Sequence, residues 1–422
     1  MYVLNLVFNE YLVFLKDKGV DIEKYNLVDG YYWLDRSIIK CYDIEGKIHK
    51  VLRIHIDDEL NITTTDYKKE TYEIESWEET IERNKDILDE LENESINLIR
   101  SSIKKYNSYS PIILTSTGKD SQATSYLVDK VINSRKIFNN TSLDSADTYK
   151  FVKTMNDVEI INPKEGFYQW SKRIQFIPTR LSRACCTLLK EKSTMDYLNK
   201  DIRYLFFLGM RNEESTSRSG YTDEWKNEKW GNRQWEGILP IRKWTEEQIW
   251  LYILWKQIDI NPKYKKGYAR VGCAIACPNY GKSTWMLDEY WYPSMYKRWH
   301  DILNNDFIDN QKWTKLNCTI KEYHLCWNGG LLRSEPTLEV INEFAEHKGV
   351  SIDIVEKYFN HKCKVCDKKV NKNDDVAMNL KLLGRNIDDY FCKKHLMKFL
   401  EINKEQWNTY IKDFKESECA LF

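Results

Sequence analysis

The chain has 422 residues, 42% hydrophobic and 14% aromatic, and its 64 basic and 64 acidic side chains give a formal net charge of zero. This content excludes an intrinsically disordered chain and suffices for a sizeable core in about two or three domains, while the neutral balance gives no signal for a nucleic-acid partner. No run of about 18 apolar residues is present to span a membrane, and the stretch from Met1 to Gly19 mixes charges into its apolar run, so it reads as no signal peptide.

Leu4 to Leu15 has helical spacing, and Tyr31 to Leu34 and Lys50 to Ile56 read as strands, predicting a small α+β domain over residues 1–76. Glu, Lys, Leu and Ile at helical spacing from Trp77 to Tyr106 predict a long helix leading into a second domain. From Pro111 the pattern becomes strand, turn, helix, strand. Ile112 to Thr115 is apolar, Gly118 marks a turn, and Ala123, Leu127, Val128, Val131 and Ile132 share one helical face. Lys136 to Asn140, Val158 to Ile161 and Arg203 to Leu208 are further predicted strands. This alternation predicts an α/β domain over residues 77–300, with a parallel sheet covered on both faces and ligands bound at the carboxyl ends of its strands. Thr245 and Gln248 form a capping box that opens a helix running to Ile258. A helical extension over 301–357 and a cysteine-bearing module over 358–422 complete the chain.

Ser116, Thr117, Gly118, Lys119, Asp120 and Ser121 join a predicted strand to a predicted helix, where backbone N–H groups and the helix dipole favour an anion. Gly118 permits the turn, Lys119 supplies positive charge, and the Ser116 and Ser121 hydroxyls can donate to phosphate oxygens. Asp120 is the candidate carboxylate for magnesium. The GxxxxGK[ST] spacing is absent, so this is no Walker A loop. Asp147, after the next strand, is a candidate ribose or metal ligand and equally a candidate helix N-cap. Arg211 and Arg218 can grip phosphate or sulfate bidentately, or else be surface arginines.

The STGKDS loop resembles the SGGKDS pyrophosphate loop of N-type ATP pyrophosphatases and their sulfonucleotide relatives, the phosphoadenosine phosphosulfate reductase superfamily. Asp147-Thr148-Tyr149-Lys150-Phe151 is similar to that family's D/N-T-x-x-F segment, and Gly209-Met210-Arg211 with Glu213, Glu214, Ser215 and Arg218 to its G-x-R-x-x-E-S-x-x-R stretch. Leu239-Pro240-Ile241 with Trp244 and Trp250 resembles its P-L-x-x-W region. The resemblance covers residues 105–285 and implies a Rossmann-like domain for ATP or a related adenine nucleotide with Mg²⁺. It implies binding by residues 116–121, Asp147 and Arg218, and catalytic roles for Lys119, Asp120 and Arg211.

The eleven cysteines are expected to be reduced thiols or metal ligands of a cytoplasmic protein. Cys185, Cys186, Cys273 and Cys277 offer four soft sulfur ligands suited to a 4Fe–4S cluster. Adjacent cysteines followed far downstream by a close pair resemble adenylyl-sulfate reductases and DNA phosphorothioation sulfurtransferases, although C-x-x-x-C here replaces the reductases' C-x-x-C. Cys363, Cys366, Cys392 and His395 give C-x-x-C and C-x-x-H knuckles suited to tetrahedral zinc. Lysines around them, among them Lys364, Lys368 and Lys394, fit a nucleic-acid face or a protein-docking module. Cys419 resembles the cysteine of the Glu-Cys-Gly tail of sulfonucleotide reductases, with Ala420 in place of the glycine. The leading expectation is an ATP-dependent, pyrophosphate-releasing sulfur-transfer enzyme acting on DNA, tRNA or a small molecule. A sulfonucleotide reductase and a non-catalytic nucleotide- or nucleic-acid-binding accessory protein are the alternatives.

Overall fold

In the computed structural model, the described residues are 4–67, 72–174, 177–178, 183–215, 218–227, 230–231, 233–309, 319–326, 342, 346, 351–352, 361–370, 373–383 and 389–416. Cys419, and much of the expected extension over 301–357, lie outside them.

The chain opens as a strand, not the expected helix: β1 (Leu4–Leu6) pairs with β2 (Trp33–Asp35), and α1 (Asn9–Asp17) lies between them in sequence. All three residues of β1 are buried, which removes the alternation that would have marked a strand. With β3 (Ile38–Tyr42), β4 (Ile48–Ile56) and β5 (Ile62–Asp66), these strands form an antiparallel sheet in sequence order. Helix α2 (Trp77–Lys105) follows. Its capping box is complete, for the Glu79 N–H donates to Ser76 Oγ at 3.2 Å and the Ser76 N–H to Glu79 Oε2 at 2.7 Å.

The second sheet contains β6 (Ser110–Thr115), β7 (Arg135–Asn139), β8 (Val158–Ile161), β9 (Tyr204–Phe207), β10 (Glu224–Trp225) and β11 (Trp235–Ile238). Their spatial order is β10-β11-β9-β6-β7-β8, parallel throughout except for β10 at the edge. Helices α3 (Lys119–Asp129) and α4 (Ala146–Thr154) connect the first three strands. α5 (Phe167–Arg173), a π-helical turn (Cys186–Glu191) and α6 (Lys192–Tyr197) precede β9 in sequence.

Side chains alternate across this sheet, so both faces are covered. Leu205, Phe207, Ile113 and Ile238 join α2, α3 and α7 (Glu246–Trp255) in one core, while Tyr204, Phe206, Ile112 and Ile137 join Trp230 and Trp235 in another. Each such large side chain contributes about 1.5–3 kcal/mol of burial free energy. The expected start of α7 holds, with Thr245 Oγ1 accepting from the Gln248 N–H at 3.2 Å.

Residues 1–163, 193–274 and 282–292 make one compact unit, which therefore contains both sheets, α8 (Pro262–Lys265) and α9 (Lys282–Trp291). The second unit comprises residues 164–192, 275–281 and 293–422. In it α10 (Pro293–Asp309) places buried Trp299 against Phe167 of α5, and α11 (Ile320–Cys326) pairs His324 with His300 through Nδ1 atoms 3.0 Å apart. Near its end α12 (Asn373–Leu382), α13 (Lys393–Phe399) and α14 (Lys404–Glu416) enclose a small core of Met378, Leu396 and Trp407.

Candidate functional site

Strand order reverses at β6, with β7 and β8 on one side and β9 and β11 on the other. In open α/β sheets this switch point leaves a crevice at the carboxyl ends, and the loops after β6 and β9 border it. The first is Ser116–Ser121 and the second begins at Gly209. A Cβ on Gly209 would stand 2.7 Å from the Asp120 carbonyl carbon and oxygen and 2.9 Å from the Ser121 nitrogen, so only glycine lets the loops approach. Thr117 is fully buried at φ +60°, a left-handed conformation held by its surroundings. Ser121 Oγ donates to the Gly118 carbonyl at 2.8 Å. Gly118 caps α3 without a side chain, so the first-turn N–H groups face no local cap, as anion binding requires. One of them, Lys119 N–H, donates to the Tyr264 hydroxyl at 2.9 Å.

Behind the loop lies a buried ion network. Lys119 Nζ is 2.8 Å from Asp120 Oδ2 and 3.0 Å from Glu246 Oε1. Arg211 donates through Nε to Asp120 Oδ1 at 2.5 Å, through Nη1 to Glu213 Oε2 at 2.9 Å and through Nη2 to Glu246. The Arg211 and Lys119 side chains are 1% and 5% exposed. Burial disfavours charge on Lys119, but Asp120 and Glu246 outweigh it and raise its pKa. Burial likewise opposes ionisation of Asp120, and Lys119 and Arg211 overcome it, holding the carboxyl down to about 2. Lys119 and Arg211 thus meet carboxylates, which differs from the expectation that both present charge directly to phosphate. Glu246 carried no local signal, standing 35 residues beyond Arg211 at the start of α7.

Arg218 pairs with Glu214, which also accepts from the Arg211 N–H at 3.0 Å. Asp147 accepts from Lys266 Nζ and from the Tyr292 hydroxyl, each at 2.6 Å. Burial opposes its ionisation, but these two donors prevail and its pKa falls. The cap of α4 is Ser145, whose Oγ accepts from Thr148 N–H, so Asp147 is a first-turn residue and not the N-cap. Asn261 opens α8 and sends Nδ2 to Thr117 Oγ1 at 3.0 Å and Thr148 Oγ1 at 3.1 Å. Asn261-Pro262 marks a helix start in sequence, but nothing local announces its tie to the loop.

Residues 110–279 match the phosphoadenosine phosphosulfate reductase domain. A domain of that superfamily thus occupies residues 110–279, less than half of the chain. Among the chain's relatives, an uncharacterized protein of Methanocaldococcus jannaschii is 29% identical over 279 residues, covering 63% of this chain and 67% of the relative. An adenosine 5'-phosphosulfate reductase of Salinibacter ruber is 30% identical over 116 residues, 26% of this chain and 38% of the relative. A sulfate adenylyltransferase subunit 2 of Aliarcobacter butzleri is 27% identical over 205 residues, 42% of this chain and 66% of the relative. The chain thus spans between 38% and 67% of these relatives' lengths.

The chain also carries two sets of thiols. Cys273 belongs to the first unit, with Sγ 3.6 Å from Thr141 Oγ1, and Cys185, Cys186 and Cys277 belong to the second. None of the four is in a disulfide. A hydrogen bond from Cys185, reinforced by Arg183 and Lys190 against burial, brings the Cys186 thiol down to about 6. At the C-terminal knuckles, Sγ of Cys363 and of Cys392 each lie 3.3 Å from His395 Nδ1, and Cys366 Sγ lies 3.9 Å from Cys392 Sγ. All four ligand atoms fall within 4.8 Å of one another. Zn–S and Zn–N bonds of about 2.3 and 2.0 Å give tetrahedral edges of roughly 3.5–3.8 Å, so the donor set fits zinc. Cys392 is the N-cap of α13, which sets His395 on its first turn. Among the described residues, no helix is long and apolar enough to cross a membrane.

Proposed function

We propose that the chain is an ATP-dependent, pyrophosphate-releasing sulfur-transfer enzyme. The observation that supports this best is the uncapped first turn of α3 at the sheet's switch point, with its loop fixed from behind by ionised Asp120, Lys119 and Arg211. An oxygen of the acceptor attacks the α-phosphorus; its bond to phosphorus forms as the bond to the bridging oxygen breaks, and pyrophosphate leaves with that electron pair. Backbone N–H groups of α3 and the Ser116 hydroxyl stabilise the charge on the departing group, while Ser121, whose hydrogen goes to the Gly118 carbonyl, holds the loop in shape. Lys119, Asp120 and Arg211 act as positioning residues. Each oxygen of Asp120 accepts one hydrogen bond, from Arg211 and from Lys119, and keeps a lone pair through which it would help the nucleotide phosphates hold Mg²⁺. Asp147 would bind a ribose hydroxyl or a metal, and Arg218 a phosphate or sulfate group of the nucleotide.

Cys185, Cys186, Cys273 and Cys277 would hold a 4Fe–4S cluster, whose chemistry when bound is to carry or position sulfur. Cys363, Cys366, Cys392 and His395 would hold structural zinc in a module that docks nucleic acid, DNA or tRNA, or a protein. Reduction of a sulfonucleotide is the second reading, favoured by the likeness to the Salinibacter ruber protein.

The deciding assay follows pyrophosphate release from MgATP across DNA, tRNA and small-molecule acceptors, beside sulfite release from adenylyl sulfate with a thiol donor. Acceptor-dependent pyrophosphate is expected. Sulfite without pyrophosphate moves the assignment to the reductase, and nucleotide binding with neither product moves it to an accessory protein.

A further inference from the structure

Tyr264 reaches the loop from α8, 145 residues beyond Lys119, and is 2% exposed. Its hydroxyl oxygen accepts from the Lys119 N–H at 2.9 Å and would lie 3.4 Å from a Cβ placed on Gly118, so it touches the loop's backbone where α3 begins. A phenol also has one hydrogen to donate, and among the described residues none accepts it from Tyr264. Buried hydroxyls ordinarily find partners for their hydrogens, so an unused one beside an uncapped helix start points to a ligand. Burial pushes the phenol's pKa up, which keeps that hydrogen on the oxygen at neutral pH.

The side chain is held in this pose from several directions. The ring meets Trp250 edge-on at 5.0 Å. Asn5, fully buried in β1, donates to the Tyr264 and Tyr268 carbonyls at 3.1 Å each. Asn261 fixes the start of α8 and, through Thr117, the loop itself.

We propose that Tyr264 is a phosphate ligand of the loop, accepting from Lys119 N–H while donating its hydrogen to a non-bridging oxygen of the bound polyphosphate, with Asn5 as its positioning residue. This deepens the nucleotide-site reading above and rests on it. The hydroxyl carries the reach of a first-turn N–H outward by one O–H···O bond, about 2.7 Å. The N-terminal sheet, to which no sequence motif gives a role, thereby becomes part of the phosphate site.

Tyr264→Phe in the full chain keeps the ring and removes the oxygen. Calorimetric titration with MgATP, with pyrophosphate and with adenosine is expected to show about tenfold weaker binding of the first two, as for one lost hydrogen bond to a charged group, and unchanged adenosine binding. Pyrophosphate affinity equal to wild type, or an equal loss for adenosine, overturns the phosphate role alone. A wild-type chain that binds neither MgATP nor pyrophosphate overturns this inference and the nucleotide-site reading together. Asn5→Ala should weaken pyrophosphate binding less than Tyr264→Phe and add nothing to it in the double variant; full additivity would show that Asn5 does not act through Tyr264.

Discussion

Arg211 donates to three carboxylates from a position 1% exposed, and lysine, with a point charge in place of a fork, cannot serve all three. Arg211→Lys should therefore cost about 3–5 kcal/mol of stability in a urea titration, the range for breaking a buried ionic network. Asp120 supplies a pH signature for the same network. Its folded pKa of about 2 lies below the ordinary 3.8, so its stabilisation is present above pH 3.8 and is lost as pH falls through 2. The acid limb of stability between pH 4 and pH 2 should be shallower in Asp120→Asn, while the two proteins keep a constant difference from pH 5 to pH 7. Ser116 to Ser121, Arg211 and Asp147 were legible as candidate site residues because small polar and charged groups follow predicted strands. Their partners were not legible, since Glu246 and Tyr264 come 35 residues after Arg211 and 145 residues after Lys119.

At the scale of elements, the loop after β9 can lie on the phosphate loop only through Gly209. Gly209→Ala should push Asp120 and Ser121 outward and weaken MgATP binding more than it lowers the melting temperature, a split readable by titration beside calorimetry. The elements easiest to read in sequence were those with their own punctuation: α7 through Thr245 and Gln248, and β6 with α3 through an apolar run, a glycine and a helical face. Leu4 to Leu15 was harder. Its first three residues are buried as a strand and its helix starts only at Asn9, and a short apolar run holds too few periods to tell strand from helix. Ser145 took the cap expected at Asp147 because both are good capping residues two positions apart, and only backbone geometry chooses between them.

For the whole molecule, two metal sites should separate by mutation. In protein purified anaerobically, His395→Ala should remove about one zinc per chain and speed amide exchange in α12, α13 and α14 while α3 and α7 stay protected. Cys273→Ser with Cys277→Ser should remove about four irons and leave the zinc. Zinc retained by His395→Ala would sink the knuckle assignment, and iron absent from the wild type would sink the cluster.

The hydrogen bonds from Asn5 to Tyr264 and Tyr268 span 259 and 263 residues, and that separation has a kinetic side. On the ribosome β1 emerges ahead of α8, and at about 5–20 residues per second its partner follows roughly 13–50 s later. Throughout that interval an edge strand whose three residues are all buried in the finished fold waits without the helix that covers it, exposed to mispairing or to chaperone capture. The loop after β6, though translated well before α8, gains the contacts from Asn261 and Tyr264 only once α8 has been made, so the proposed phosphate site would be completed late in synthesis.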